Sequence, residues 1–173
     1  MSAPTSTRTS HRASATPATA RGGRGLLMLL PFVLAVAVVS GVGGLAASSS
    51  RETYAALDLP PYAPPSWVFG PVWGVLYVMI AIAGWLAWRS GGGRPAVTVW
   101  AVQLVLNLAW TPLFFAWELR GVALVEIVAL LVAVVATIVV FARTSKAAAW
   151  LLVPYLAWVG FATALNAGVV VLN

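Results

Sequence analysis

Five long apolar runs separated by polar connections are the feature that most constrains this sequence. They cover residues 26–47, 67–88, 96–117, 122–142 and 148–171. Each is close to the roughly 20 residues that an α-helix needs to cross about 30 Å of hydrocarbon. Only 8% of the side chains are charged, against about 25% in soluble domains. We therefore predict an all-α integral membrane protein, a five-transmembrane-helix bundle that forms one domain over residues 26–173.

The segment before the first run, residues 1–25, is rich in Ser, Thr, Ala and Arg and contains no acidic residue. Such a composition cannot bury enough apolar surface to fold, so we predict a disordered basic tail. It also resembles an organelle transit peptide, and the run 26–39 followed by small residues at 44–48 resembles a signal peptide. The first run is long for a signal peptide, which favours its retention as a helix.

The charges in the connections predict the orientation. Eight Arg or Lys residues and no acid lie in the tail, in the connection between the second and third runs, and before the last run. By the positive-inside rule this side is cytoplasmic, which places the N-terminus inside and the C-terminus outside. We predict a multi-pass protein of a bacterial cell membrane, with an organelle membrane as the alternative. The one long connection, 48–66, then lies on the outer face.

Several classes of function lack the residues that they need. The sequence contains no cysteine, and its single histidine, His11, lies in the polar tail. No metal site and no cofactor are therefore predicted. The positive charges flank apolar runs instead of forming one basic surface, which argues against a nucleic-acid partner. No arrangement of nucleophile and base is present, so we predict no catalytic residues of that kind.

Polar and aromatic residues inside the apolar runs mark a candidate site. On the third run they recur at i, i+4, i+7 and i+11, which places them on one helix face. On the second run Tyr77, and on the fifth run Ala162, belong to comparable stripes. Asn107 and Asn166 could instead be interhelical hydrogen-bond partners. Helical rise puts Trp73, Asn107, Trp110, Asn166 and Glu126 in the outer half of the membrane, below the connection 48–66, and Tyr77 and Trp158 near the midplane. The third-run stripe is Gln103, Asn107, Trp110 and Phe114.

The nine tryptophans divide by depth. Those at the ends of the runs fit an interfacial aromatic belt. Trp73, Trp110 and Trp158 lie deeper, where an indole offers a stacking face and one N–H donor to a planar ligand, or simply packs in the core. Glu126 is the only acid within a run; it could line a cavity, but we favour the prediction that it caps the start of its helix.

Three stretches then resemble the signature of a known family. They are "PPSWVFGPVWGVLYVMIAIAGWL", "LNLAWTPLFF" and "PYLAWVGFATALN". Their order and spacing, from Tyr54 to Asn166, are similar to those of the translocator protein family, also called the tryptophan-rich sensory proteins. The resemblance implies a five-helix bundle, a homodimer, and a pocket at one end that the loop after the first helix closes. It also implies binding of porphyrins or haem-like tetrapyrroles within the lipid bilayer.

The resemblance assigns roles to particular residues. Tyr54, Pro64 and Trp67 fall in the lid loop 48–66 and its hinge. Trp73 and Trp158 match the two indoles that face the tetrapyrrole, and Asn107 and Trp110 match the pocket stripe. The family's cholesterol-recognition stretch is not intact, because Ala167 and Val171 replace its tyrosine and its basic residue. Sterol specificity is therefore not predicted.

Three functions follow from these observations. The first is a membrane receptor or binding protein for tetrapyrroles, with a sensory or regulatory role. The second is an enzyme that degrades porphyrin in light, in which Trp73 and Trp158 would transfer electrons or trap a radical. The third and weakest is a transporter, because the sequence shows neither a repeat nor a discontinuous helix. The predicted ligand-binding residues are Tyr54, Pro64, Trp67, Trp73, Tyr77, Gln103, Asn107, Trp110, Phe114, Trp158 and Ala162.

Overall fold

The computed structural model describes residues 27–46 and 50–173, and within these ranges the chain is helical, without a β-strand. The predicted tail, 1–25, lies outside the described residues. A 3₁₀ turn, Ser66–Val68, precedes α3, and π-helical turns, Trp88–Gly92 and Pro112–Ala116, follow α3 and α4. The α-helices are α1 Leu30–Ala46, α2 Ser50–Ala55, α3 Phe69–Ala87, α4 Gly93–Thr111, α5 Arg120–Ala142, α6 Lys146–Leu151 and α7 Val153–Leu172.

The prediction of a five-helix membrane bundle is confirmed. Three helical stretches are long and apolar enough to cross a membrane, namely Ser66–Ala116, Arg120–Ala142 and Lys146–Leu172, and α1 is a shorter apolar helix. The first stretch spans 51 residues, too many for one crossing. It folds back at Gly91 and Gly93, whose φ angles of 88° and 55° lie in the left-handed region that glycine adopts without strain. α3 and α4 are therefore separate crossings.

The five crossings close into a ring. α1 packs against α3 and α4, α4 packs against α5, α5 packs against α7, and α3 returns to α6 and α7. The interior is mostly apolar, with Ile80, Val134 and Phe141 fully buried, and it also holds the polar residues Gln103, Asn107, Thr137 and Asn166. Trp100 is buried too, and its Nε1 donates to the carbonyl oxygen of Ile80 at 3.0 Å. That indole joins α3 to α4.

Two parts of the chain differ from the sequence prediction. The segment 48–66, predicted as a loop, contains the short helix α2. The last run is divided into α6 and α7 at Leu152. Pro154 lies in the first turn of α7, where its missing N–H is tolerated, whereas a continuous helix would lose a hydrogen bond there.

The ends of α1, α4 and α7 and the starts of α3 and α5 lie at the same end of the bundle, because successive crossings run in opposite directions. We call this the upper end. The segment 50–65, the connecting segment, joins α1 to α3 there. Trp67 and Trp117 lie at the upper end, and Trp88 and Trp150 at the other, all four exposed. This placement suits residues at the two membrane interfaces.

Candidate functional site

A cavity of about 440 Å³ opens at the upper end of the bundle. Its walls come from the last turns of α1, the first turns of α3, the end of α4 and the connecting segment. The volume is within the range of small-molecule sites, about 300–1,000 Å³. None of the described residues around it carries a charge. They are Ser40, Gly43, Gly44, Tyr54, Ser66, Trp67, Phe69, Gly70, Pro71, Trp73, Gly74, Tyr77, Trp110, Thr111 and Phe115.

Aromatic rings supply two walls of the cavity. On α3, the ring of Trp73 lies 5.4 Å from that of Tyr77 at an interplanar angle of 31°. Across the cavity, Trp110 stacks on Phe114 with ring centroids 5.2 Å apart, and Phe115 meets Trp110 edge-on. These spacings are those of favourable aromatic pairs, so neighbouring rings hold one another in place. The walls therefore offer fixed, flat apolar surfaces.

A chain of hydrogen bonds behind Trp73 ties three helices together. Tyr77 Oη on α3 donates to Asn107 Oδ1 on α4 at 2.9 Å. Asn107 Nδ2 in turn donates to Tyr155 Oη on α7 at 3.1 Å. Tyr155 is fully buried and Asn107 nearly so. The amide thus serves as the interhelical link that was one of its two interpretations, and it reaches the cavity only through the Tyr77 hydroxyl.

A second amide fixes the other wall. Trp110 Nε1 donates to Asn166 Oδ1 at 3.4 Å, and Asn166 Nδ2 donates to the carbonyl oxygen of Arg120 at 2.9 Å. The Arg120 carbonyl is at the first residue of α5, so this contact joins α4, α5 and α7. The indole face of Trp110 that borders the cavity is therefore oriented from behind.

The connecting segment closes on itself above the cavity. Tyr54 is buried, and its hydroxyl donates to the carbonyl oxygen of Pro64 at 2.9 Å. Its ring meets Phe69 edge-on at 5.5 Å. Burial raises the pKa of Tyr54 above its ordinary value of 10.0, so the hydroxyl remains a donor at neutral pH. These contacts connect α2 to the start of α3.

The same segment is docked on the end of α7. Tyr62 Oη donates to the carbonyl oxygen of Ala164 at 2.9 Å. Gly168 lies beneath it, where a Cβ would come 2.8 Å from Tyr62 Oη and 3.0 Å from Pro60 Cγ. Only glycine leaves room for this approach. Asp58 and Asn173 exchange two further hydrogen bonds, at 3.1 and 3.0 Å.

Trp158 lies outside the cavity. It borders an open, apolar groove of about 610 Å³ between α3 and α7. Its ring meets Phe69 edge-on at 5.9 Å, so Phe69 stands between this indole and the cavity. Trp158 Nε1 is buried and has no hydrogen-bond partner among the residues that the structure describes. The groove is lined by Pro71, Val72, Val75, Leu76, Met79, Pro154, Ala157, Trp158 and Phe161.

The eleven predicted residues therefore fall into two groups. Tyr54, Trp67, Trp73, Tyr77 and Trp110 line the cavity. The other six do not line the cavity. Three of them contact lining residues: the Pro64 carbonyl oxygen accepts from Tyr54, Asn107 Oδ1 accepts from Tyr77, and Phe114 stacks on Trp110. Gln103 is fully buried and donates to the carbonyl oxygen of Trp100 at 2.8 Å. Ala162 is buried on α7, and Trp158 borders the groove.

Sequence reasoning missed the wall that α1 contributes. Ser40, Gly43 and Gly44 carry no aromatic ring, amide or charge, so nothing distinguished them in an apolar run. Thr111 and Phe115 had a detectable signal, because they continue the helical spacing from Asn107 at i+4 and i+8. Both line the cavity.

The prediction that Glu126 caps a helix start was wrong. α5 begins at Arg120, and no acidic residue lies in its first turn. The dipole effect is confined to that turn, whereas Glu126 follows six residues later. Both carboxyl oxygens are buried, and neither has a hydrogen-bond partner in the described part of the chain.

Comparison with known proteins gives a consistent result. The model of the TspO/MBR family matches residues 31–172. The tryptophan-rich protein TspO of Archaeoglobus fulgidus is 40% identical over 152 residues, which cover 86% of this chain and 98% of the relative. The human translocator protein is 43% identical over 118 residues, 65% of this chain and 70% of the relative. The tryptophan-rich sensory protein of Cereibacter sphaeroides is 33% identical over 139 residues, 80% and 87% of the two chains.

Proposed function

Because the chain belongs to the TspO/MBR family, a family of multi-pass membrane proteins with sensory or binding roles, we propose that it is a receptor for tetrapyrroles. The ligand, a porphyrin or a haem-like molecule, occupies the cavity at the upper end. The connecting segment acts as its lid. The sensory or regulatory output follows from whether the ligand is present under this lid.

The observation that carries the proposal is the pair of aromatic walls. Trp73 and Tyr77 on α3 border one space of about 440 Å³ together with Trp110 on α4 and Phe115 in the π-helical turn that follows it. Each indole is fixed by a neighbour: the Trp73 ring packs against the Tyr77 ring, and Trp110 Nε1 donates to Asn166 Oδ1. A flat, conjugated ring system gains most from such fixed faces, because stacking adds to apolar burial. Preformed walls also keep the ordering cost of binding low.

The contacts of the connecting segment support its role as a lid. It is joined to the bundle at α7 through Tyr62 and Asp58, and to α3 through Tyr54. Pro60, Pro61, Pro64 and Pro65 restrict its backbone. These few contacts can break together without disturbing the helices below.

The remaining parts of the proposal concern the setting of the receptor. The distribution of positive charges favours a cytoplasmic N-terminus, and the alanine-, valine- and arginine-rich composition is compatible with a bacterial cell membrane. The family resemblance favours a homodimer. Labelling of single cysteines introduced at Ser90 and Asp58, in intact cells, tests the orientation, since the chain has no cysteine of its own. We expect an impermeant reagent to reach position 58 and not position 90.

A titration in lipid nanodiscs tests the ligand. We expect a porphyrin to change its absorption saturably with the wild-type protein at micromolar concentration. Trp73→Leu should weaken binding about tenfold, because a stacking face is lost together with apolar contact. Trp150→Leu is the matched control, since Trp150 is 71% exposed at the opposite end. Absence of saturation in the wild type would exclude a tetrapyrrole ligand.

Light-dependent porphyrin degradation is the second candidate. It is favoured by one observation, namely that Trp73 borders the cavity and lies 5.4 Å from Tyr77 and 6.2 Å from Tyr155. An excited porphyrin would take an electron from the Trp73 indole, and a neighbouring tyrosine would return one to it, so that the radical moves toward the bundle interior. Loss of porphyrin absorbance under illumination, dependent on Trp73, is the measurement that tests it.

A further inference from the structure

Three hydroxyl groups that line the cavity make no hydrogen bond within the described part of the chain. Ser66, in the 3₁₀ turn before α3, lies at the upper rim, whereas Ser40 on α1 and Thr111 at the end of α4 lie deeper. Other threonines in the bundle behave differently. Thr137 donates to the carbonyl oxygen of Ala133 at 2.7 Å, and Thr163 donates to that of Val159 at 2.8 Å. This is the usual way in which a helix satisfies a hydroxyl in an apolar environment.

An unpaired hydroxyl is costly at membrane depth. No bulk water reaches the hydrocarbon region, so a polar group there needs a protein partner, a water-filled cavity or a ligand. Ser40 lies six residues before the end of α1, roughly 9 Å along its axis. Thr111 lies five residues before the end of the π-helical turn Pro112–Ala116. Both hydroxyls therefore lie below the rim of the cavity, on its inner wall.

Gly43 brings these groups to one place. A Cβ built on Gly43 would lie 3.8 Å from Thr111 Oγ1 and 3.9 Å from Tyr77 Oη. Ser40 is three residues before Gly43 and shares its helix face. The missing side chain at Gly43 thus leaves a small polar corner in which a ligand can reach the hydroxyl oxygens of Ser40, Thr111 and Tyr77.

Only some of the hydroxyl groups in this corner can donate a hydrogen bond to a ligand. Tyr77 already donates its only proton to Asn107, so toward a ligand its oxygen can only accept. Within the corner beside Gly43, the hydroxyl protons of Ser40 and Thr111 have no acceptor in the described part of the chain; Ser66 lies outside this corner, at the rim of the cavity. No cation lies among the described lining residues. Hydroxyl donors without a cation suit a neutral acceptor, whereas a desolvated carboxylate would remain uncompensated.

We propose that Ser40 and Thr111 are specificity-determining residues that donate hydrogen bonds to an uncharged carbonyl oxygen of the ligand. This inference rests on the proposed function and narrows its ligand class. The preferred tetrapyrroles carry an ester or lactam carbonyl at the edge that enters the corner beside Gly43. Charged carboxylates, where present, lie at the opposite edge, toward the lid.

The test combines variants with matched ligands. The full chain in nanodiscs is titrated with a porphyrin dimethyl ester, with the corresponding diacid, and with an octaalkylporphyrin that has no oxygen. The variants are Thr111→Val, which preserves the shape of the side chain, and Ser40→Ala. Thr163→Val is the control, because its hydroxyl is bonded within α7 and does not line the cavity.

We expect Thr111→Val to weaken binding of the ester about fivefold, the effect of losing one neutral hydrogen bond, and to change binding of the octaalkylporphyrin less than about twofold. Ser40→Ala should act in the same direction, and Thr163→Val should have no effect. In the wild type the ester should bind more tightly than the diacid at pH 7.

Three results would overturn the inference. The first is equal weakening of the ester and the octaalkylporphyrin, which indicates a change of shape. The second is no weakening of either by Thr111→Val and Ser40→Ala, and the third is tighter binding of the diacid. If none of the three porphyrins saturates the wild type, the proposed function itself fails. The two failures are therefore distinguishable.

Discussion

The cavity at the upper end and the groove between α3 and α7 are both large and aromatic, but they differ in polarity and enclosure. The cavity presents hydroxyl groups from Ser40, Ser66, Thr111 and Tyr77, and Tyr54 of the connecting segment is part of its lining. The groove is open, and the only side-chain nitrogen or oxygen among its lining residues is Trp158 Nε1, which is buried. Volume alone does not identify the binding site, since the groove, at about 610 Å³, is larger than the cavity, at about 440 Å³.

This difference shows what makes a binding site inside a membrane. Lipid tails are as apolar as a leucine side chain, so an apolar groove offers a ligand little that the bilayer does not already offer. Selectivity must come from groups that lipid cannot satisfy and from walls that exclude lipid. The cavity has both features, and the groove has neither. We therefore expect a selective ligand in the cavity and acyl chains in the groove.

Substitutions that fill the cavity or the groove separately should give the largest difference in ligand affinity. Gly74→Phe places a ring in the cavity from a position where a Cβ meets no atom within 4 Å. A ligand would have to displace that ring at a cost of about 3 kcal/mol, so its Kd should rise roughly a hundredfold. Ala157→Phe places the same ring in the groove and should leave the Kd unchanged. Porphyrin titration in nanodiscs measures both.

The reverse result would relocate the ligand. If Ala157→Phe abolishes binding and Gly74→Phe does not, the groove is the binding site. Thermal unfolding of both variants in the same detergent tests whether the bundle has kept its stability. Gly74 is exposed on α3, so a side chain there should not destabilise the bundle.

The two tryptophans predicted to share one ligand should respond differently to light. Trp73 lines the cavity, whereas Trp158 is separated from it by Phe69. If the protein degrades porphyrin under illumination, Trp73→Phe should abolish the reaction because its indole is next to the ligand. Trp158→Phe should leave most of the rate. The initial rate of absorbance loss at saturating porphyrin, compared with a dark control, is the measurement.

Equal losses in the two variants would contradict this separation and favour direct participation of both indoles. If Trp73→Phe degrades porphyrin as fast as the wild type does, the protein is only a binder, and light acts on the porphyrin alone.

The contrast between Trp73 and Trp158 also shows where sequence reasoning stops. Helical rise gives the depth of a residue along the membrane normal, and on that coordinate Trp73, Trp110 and Trp158 are close. Depth does not give the direction around the ring of helices. Phe69, which separates Trp158 from the cavity, follows from the packing of α3 against α7, and no single run carries that information.

Other parts of the fold were accessible from the sequence because their physics is local. Hydrophobic length predicted the five crossings, and helical spacing predicted a buried face with Gln103, Asn107, Trp110 and Phe114. The α1 wall was not accessible, since glycine and serine become informative only when a neighbouring helix is in place. The break at Leu152 was in principle predictable, because Pro154 cannot continue a helix.

If the connecting segment is the lid, as we propose, its few hydrogen bonds should control how long a ligand stays in the cavity. Tyr54→Phe removes the bond to Pro64 and leaves the ring contact with Phe69. We expect the dissociation rate of a cavity ligand to rise about fivefold, the effect of about 1 kcal/mol. Tyr62→Phe should act similarly by releasing the contact with Ala164. Stopped-flow displacement of a bound porphyrin measures these rates.

Two controls keep this prediction specific. Exchange of a spin-labelled lipid at the groove should not change in either variant. The dissociation rate of the wild type should also be constant from pH 6 to pH 8 with respect to Tyr54. Burial raises its pKa above 10.0, so the contact is intact below that pH and is lost only as the pH rises through the raised value. An unchanged rate in Tyr54→Phe would show that the connecting segment does not limit release.

Replacing the unpaired indole in the groove should have the smallest effect. Trp158→Phe removes a buried N–H that has no partner within residues 27–46 and 50–173, and this gain partly offsets the smaller apolar contact of the phenyl ring. We expect the Tm in detergent to change by no more than about 2 °C, since offsetting changes of this kind amount to less than about 1 kcal/mol. Trp110→Phe is the informative counterpart, because it removes the bond to Asn166 Oδ1 and leaves that buried oxygen without a donor. The Tm should fall by several degrees in that variant, since an unsatisfied buried group costs about 1–3 kcal/mol. A large loss of stability in Trp158→Phe would mean that this indole is a structural element of the bundle, and that the groove is part of its packed core.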